Sequence, residues 1–408
     1  MPHWQWLAGN LAKKIWFRAA LISLLSVAGA LMSAVLAPFI PYDLSLKIGG
    51  GAVDNVLTIL ASSMLAVTTF SLTAMVGAFS GAAQNLTPRA TQLLIEDSAA
   101  QNALSTFLGG FLFGIVGIAA LSTGIYGDQG RAILFIFTMA MIVWIAITLL
   151  RWIQTLSHFG RVPDTIARVE KAGIAALNRH CGPVIATGRA DLDVPANGHT
   201  VCARETGYVA VIDTEELVKI AERTGKPLHV IAPPGRLVDA RTPLAWTVAE
   251  LKNDDVDDVV GAFTVTRERS FDHDPRFAMI VLAEIGSRAL SPAINDPGTA
   301  IAALVSGQRI VEKIDLANEV APERVVFPPL SVEEIVEDLL LPIARDGAPI
   351  VEVGIRMQHM LGSLAKAFPE SRPAFRQLAD DAFERASCAS LADPDRDRLT
   401  KAHAAAFG

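Results

Sequence analysis

Hydrophobic and polar positions are distributed unevenly along this chain. Residues 19–40, 55–79, 104–125 and 132–150 are long, predominantly apolar runs. Each is long enough to cross a hydrocarbon core about 30 Å thick as a helix. The second run is the most informative. Between 55 and 88 it carries no formal charge, and at about 1.5 Å per residue a helix of that length spans ~50 Å. On a wheel at about 100° per residue, Thr58, Ser62, Ala66, Thr69, Thr73, Gly77, Ser80, Gln84 and Thr87 form one small, polar stripe. Leu60, Met64, Val67 and Met75 occupy the other side.

Two readings of the stripe stand side by side. Small hydroxylic residues let neighbouring helices approach closely and hydrogen-bond. The same residues also line permeation paths, where hydroxyls replace part of a solute's hydration. In the third run, Gly110 and Gly114 stand at GxxxG spacing, a helix-packing signal. Trp4, Trp6 and Trp16, with Lys13, Lys14 and Arg18, read as an interfacial anchor before the first run, which Pro38 and Pro41 close. Arg89, Arg151 and Arg161 fall on the same side as those cations, and Lys47 and Arg131 on the other. The positive-inside rule then places both termini in the cytoplasm of an inner-membrane, multi-pass protein.

Beyond the fourth run the pattern changes. Residues 1–151 read as a transmembrane domain, 152–181 as a helical stalk broken near Pro163, 182–265 as a β-rich module, and 266–408 as a helical domain. The module shows strands at 208–212 and 228–232 around a helix at 214–224. Pro234–Gly235 then gives a hairpin signal, with turn chemistry like that of small barrel-sandwich modules. In the last part, Asp274–Pro275, Ser291–Pro292 and Asp296–Pro297 each place a capping residue before a proline, which predicts three helix starts. Further helices are expected at 332–343, 350–368, 374–389 and 395–406. The fold class is therefore an α-helical membrane domain of four spans with a cytoplasmic α+β region.

Composition narrows the chemistry. Of 408 residues, 51% are hydrophobic and 19% charged, and the formal net charge is −7, so there is no basic footprint for nucleic acid. Cys181, Cys202 and Cys388 are widely spaced and odd in number, which suits a reducing compartment. His199 and Cys202 have metal-compatible spacing but lack a second pair, so no metal is expected. No phosphate-binding loop, GxSxG, HExxH or dinucleotide fingerprint occurs. His273, between Asp272 and Asp274, is suited to acid–base work but has no nucleophile assigned to it. No catalytic residue and no cofactor are expected.

The stretch RSFDHDPRFAMIVLAEIGSRALSPAINDPGTA, residues 269–300, resembles the signature of DUF2254, a family of predicted bacterial membrane proteins. The matching residues are Arg288, Ala289, Leu290, Ser291, Pro292, Ala293, Ile294, Asn295, Asp296 and Pro297, then Thr299 and Ala300. The end of the second run and the segment 207–244 also look like the family. The chain departs from the pattern after Phe277, where Ala278, Met279 and Ile280 replace a glycine-isoleucine-arginine run. A second departure is His273, where a glutamine is usual before Asp274. The resemblance implies an inner-membrane protein with a cytoplasmic C-terminal region, and it implies no activity.

Physically, the signature has three readings. Ser291 and Asp296 cap helices while Arg288 pairs with a carboxylate. Alternatively, helix N-termini beside Arg288 and Asn295 attract an anion. In the third, Asp272, Asp274 and Glu284 hold a divalent cation. The leading expectation for the whole chain is an oligomeric channel or channel-like transporter for ions or small solutes, gated or assembled by its cytoplasmic region. The alternative is a membrane-anchored sensor or scaffold that binds a small ligand or partner without permeation. The bilayer is the expected partner in both, and a homo-oligomer in the first.

Overall fold

The computed structural model describes residues 14–36, 50–123, 128–180, 182–185, 194–316 and 324–407. Trp4, Trp6, Lys13, Pro38, Pro41, Lys47 and Cys181 lie outside these residues. The described chain falls into two compact units, one drawn from Leu7–Ala83 and Thr91–Arg161, the other from Gln84–Ala90 and Val162–Gly408.

The first unit consists of helices. They are α1 (Ile15–Leu36), α2 (Gly50–Asn85), α3 (Pro88–Ile95), α4 (Ser98–Ser122) and α5 (Asp128–His158), except that the last two residues of α2 and the first three of α3 belong to the larger unit. Four of them are long and apolar enough to cross a membrane. Proline at 88 ends α2, because the residue before a proline is driven out of helical geometry. Asp97 starts α4 by accepting the Ala100 N–H at 2.8 Å.

The polar run α2 does not organise this bundle; α4 does. In α4, 61% of the span is buried, against 28% in α2 and 22% in α1 and α5. The cause is a series of small residues on α4. An added Cβ at Gly109 would meet Ser26 of α1 at 2.7 Å, at Gly110 Ile145 of α5 at 2.7 Å, and at Gly114 Ala61 of α2 at 2.9 Å. Each glycine lets a neighbouring helix approach closely, as small residues do in apolar bundles. Helix α5 is fastened to α2 by the buried Trp152, whose indole N–H donates to Ser71 Oγ at 3.0 Å.

The second, larger unit mixes helices and strands. Its first helix, α6 (Val162–Leu177), follows Gly160, whose φ of +77° ends the preceding segment. The segment expected as a stalk is thus divided. Its first part continues α5, and α6 packs inside the larger unit, with Gly173 against Ala278 and Ile310.

Strands β1 (Val184–Ile185), β2 (His199–Cys202) and β3 (Gly207–Ile212) precede α7 (Thr214–Thr224). Then come β4 (Leu228–Val230), β5 (Leu237–Val238), β6 (Pro243–Thr247), α8 (Asn253–Gly261) and β7 (Phe263–Thr266). Helices α9 (Pro275–Ala289) and α10 (Pro297–Val311) lead to the short strands β8 (Val325–Val326) and β9 (Leu330–Ser331). Helices α11 (Val332–Asp346), α12 (Val351–Ala367), α13 (Arg372–Cys388) and α14 (Asp393–Phe407) complete the chain. The helices expected after 332 are these four.

One sheet has the order β2-β6-β4-β8 and another β5-β3-β7, while β1 pairs with β9. Both larger sheets close over one apolar core with α7 and α8, built from residues such as Val209, Leu217, Leu228, Leu244, Phe263 and Val325. Two expectations change here. The Pro234–Gly235 turn does not form a hairpin, because β4 and β5 on either side of it join different sheets. The segments 182–265 and 266–408 also share strands: Leu228 of β4 pairs in parallel with Val325 of β8, and Val184 with Leu330.

Candidate functional site

Two features of different character stand out. The first is the stripe on α2. Thr58, Ser62, Ala66, Thr69, Thr73, Gly77, Ser80 and Gln84 are all exposed, whereas Leu57, Leu60, Met64 and Met75 are buried. Among the described residues the stripe is therefore not packed against another helix of the chain. Its hydroxyls are satisfied along the helix itself: Ser62 donates to Thr58 O at 2.9 Å, Thr69 to Leu65 O at 3.0 Å and Thr73 to Thr69 O at 3.0 Å. Such back-bonding leaves the hydroxyl oxygens free to accept. Thr87 departs from the stripe. It lies beyond the helix end, is buried, and donates to Glu284 Oε2 at 2.8 Å.

The second feature is a cavity of about 650 Å³ in the larger unit. Its walls are the 233–236 turn, the approach to α9, the 328–330 segment and the first turns of α11. Asp274, 3% exposed, caps α9 by accepting the Phe277 N–H at 3.1 Å. It also receives Arg269, with guanidinium–carboxylate distances of 2.6 and 2.8 Å. Burial holds the Asp274 carboxyl above the ordinary carboxylate range, and Arg269 opposes that rise.

Arg276, one residue into α9, grips Asp338 with two hydrogen bonds at 2.6 and 3.0 Å and Glu334 with one at 2.7 Å. Asp338 holds this guanidinium even more firmly protonated than usual. His180 lines the same cavity. Desolvation lowers its pKa to about 4, so the ring is neutral at pH 7; its hydrogen bond goes to the Pro183 backbone. Gly235 turns there with φ +89°, pressed against the Asp274 carboxylate.

Of the signature stretch, Arg269, His273, Asp274, Pro275, Arg276 and Ile280 line this cavity, and the residues from Arg288 to Thr299 do not. The 15 residues of α9, about 22 Å of helix, carry the chain from the first group to the second. Pro292, Asn295 and Asp296 are exposed, as is Arg288, for which no carboxylate partner is found among the described residues. The expected ion pair of Arg288 is not found among the described residues.

Ser291 does not start a helix either. It begins a tight turn in which the N–H groups of Ile294 and Asn295 donate to its carbonyl, and Asn295 adopts φ +50°. That left-handed residue stops the turn from propagating. Asp296 does cap α10, accepting from Thr299 N at 3.1 Å and Thr299 Oγ1 at 2.6 Å, with Pro297 as the first helical residue. The Thr299 hydroxyl, then its N–H, keeps the Asp296 carboxyl below its ordinary range.

The suggested cation cluster is dispersed. Asp274 is taken by Arg269, Glu284 by Thr87 and Arg89, and Asp272 is bonded with Ser270. No group of His, Cys, Asp or Glu placed to hold a metal occurs among the described residues. Sequence reasoning noted His180 only as the neighbour of Cys181, and did not single out Arg236, Glu334 or Asp338. The one local signal was the Pro-Pro-Gly-Arg run at 233–236, which marks a turn but not what the turn faces.

A family model described as predicted membrane protein, DUF2254, matches residues 12–363. No curated protein and no solved structure matches the chain.

Proposed function

Because the chain belongs to the DUF2254 family of predicted membrane proteins, we propose that several copies assemble into a channel or channel-like transporter for ions or small solutes. In this reading α2 lines the path, and the larger unit lies on the cytoplasmic side, where it assembles or gates the pore. One observation carries it. The polar stripe is exposed along its length while the opposite face of α2 is buried in the protomer's own bundle. Along a water-filled path such hydroxyls would replace part of a solute's hydration. The positive-inside pattern of Lys14, Arg18, Arg89, Arg151 and Arg161 supports the orientation.

The test is flux into liposomes, together with the particle size of the purified protein. A ring of three or more subunits, with solute flux altered by Thr69→Leu and Thr73→Leu, is the expected result. Unchanged flux from correctly folded variants removes α2 from the path.

A second reading is favoured by the cavity, which has the size of a small-molecule site. In it the chain is a membrane-anchored sensor or scaffold without permeation. Cysteines placed along the stripe discriminate the two. They react with water-soluble thiol reagents in a channel and resist them at a packed seam or in lipid.

A further inference from the structure

Three guanidiniums and three carboxylates line the cavity of the larger unit, and their pairing is unequal. Asp274 is taken by Arg269 and by the Phe277 N–H. Both oxygens of Asp338 are taken by Arg276, which also holds Glu334. Arg236 meets no carboxylate among the described residues. The one hydrogen bond found there for its side chain runs to the Ile231 carbonyl at 3.1 Å. A guanidinium carries five N–H donors, so most of those on Arg236 are open. The acids of the cavity are occupied and one cation is left over.

The remaining wall is mixed. Pro233, Pro234, Pro328 and Pro329 have no backbone N–H, Ile280 and Leu330 add hydrocarbon, and His180 and His273 add imidazole rings. Small-molecule sites combine such walls with a few placed polar groups, at volumes of about 300–1,000 Å³. We propose that this cavity binds a small organic anion, an acid group on a compact apolar body. Arg236 takes the acid group and the proline wall takes the body. The proposal goes beyond the channel reading and does not depend on it.

The test is calorimetric titration of the purified full chain with phenyl phosphate, benzoate, inorganic phosphate and benzylamine. Saturable binding of phenyl phosphate or benzoate is expected, at least tenfold tighter than benzylamine and tighter than inorganic phosphate. Arg236→Gln should weaken the organic anions tenfold or more, and Arg204→Gln, at an exposed surface ion pair, should not. Should Arg236→Gln fail to fold, Ile280→Trp provides the second arm. It narrows the cavity without changing charge and should weaken both organic anions tenfold or more. The proposal is overturned if neither organic anion binds saturably, if benzylamine binds as well, if inorganic phosphate binds as tightly, or if the folded variants bind like the parent.

Discussion

Glu284 accepts a hydrogen bond from Thr87 Oγ1 at 2.8 Å, across 197 positions of sequence. Arg89 forms an ion pair with the same carboxylate. Within the larger unit, this joins the short 84–90 segment to the middle of α9. Arg89 is more than half exposed, so its share is small, and the buried Thr87 carries most of the effect. Glu284→Ala should cost about 1–3 kcal/mol. Adding Thr87→Val to it should cost little more. Thermal unfolding of the two single variants and the double variant checks this; full additivity would show that the two groups act independently.

Two glycines of the membrane-type unit separate packing within the protomer from the exposed stripe. An added Cβ at Gly114 meets Ala61 and the Leu57 carbonyl at 2.9 and 3.1 Å, whereas at Gly77 it meets nothing within 4 Å. Gly114→Val should destabilise the bundle by about 1–3 kcal/mol through overpacking. Gly77→Ala should leave the protomer as stable or gain about 0.5–1 kcal/mol from helix propensity. Denaturant midpoints of the two variants in detergent decide it. If Gly77→Ala also lowers the mass of the assembled particle, the stripe is a contact between copies.

The Trp152–Ser71 bond predicts a spectroscopic outcome. Ser71→Ala removes the acceptor of a buried indole N–H and should cost about 1 kcal/mol. It should also shift the emission of this tryptophan to the blue, since a lost hydrogen bond makes the indole surroundings less polar. An emission spectrum identical to the parent's would place Trp152 elsewhere.

His180 makes the larger unit sensitive to acid. Its pKa falls from the ordinary 6.5 to about 4 because the charged ring is desolvated. The folded state therefore disfavours the proton. The stability that follows is complete above about pH 6.5 and is lost as pH falls through 4. At about 1.4 kcal/mol per pH unit, the interval from 6.5 to 4 amounts to about 3 kcal/mol. His180→Gln should flatten the melting temperature between pH 7 and 4, and an unchanged acid profile would assign the loss to another group.

What the sequence made legible was local. Apolar runs long enough to cross a bilayer identified α1, α2, α4 and α5, because length and hydropathy need no partner. Asp274–Pro275 and Asp296–Pro297 announced α9 and α10 because a cap and its helix lie within four residues. Ser291–Pro292 carried the same signal and gave only a turn; the cap was visible, but the left-handed Asn295 that ends the turn was not. The stripe on α2 was legible as a period, but which face it would bury depended on Gly110 and Gly114 in another helix. The cavity escaped because His180, Arg236, Asp274 and Asp338 come from four separate stretches. The 233–236 turn was read as a hairpin because nothing local shows that its flanking strands belong to different sheets.

Gly235 and Gly225 share a left-handed backbone, with φ of +89° and +69°, yet they would behave differently under saturation mutagenesis. Around Gly225 nothing lies within 4 Å, so asparagine and aspartate should survive there, as they do at many helix ends. At 235 any Cβ collides with the Asp274 carboxylate, and the collision would displace the Arg269 pair and the cap of α9 with it. In a library of the whole chain, position 225 should tolerate a small palette of residues, and position 235 should return glycine alone.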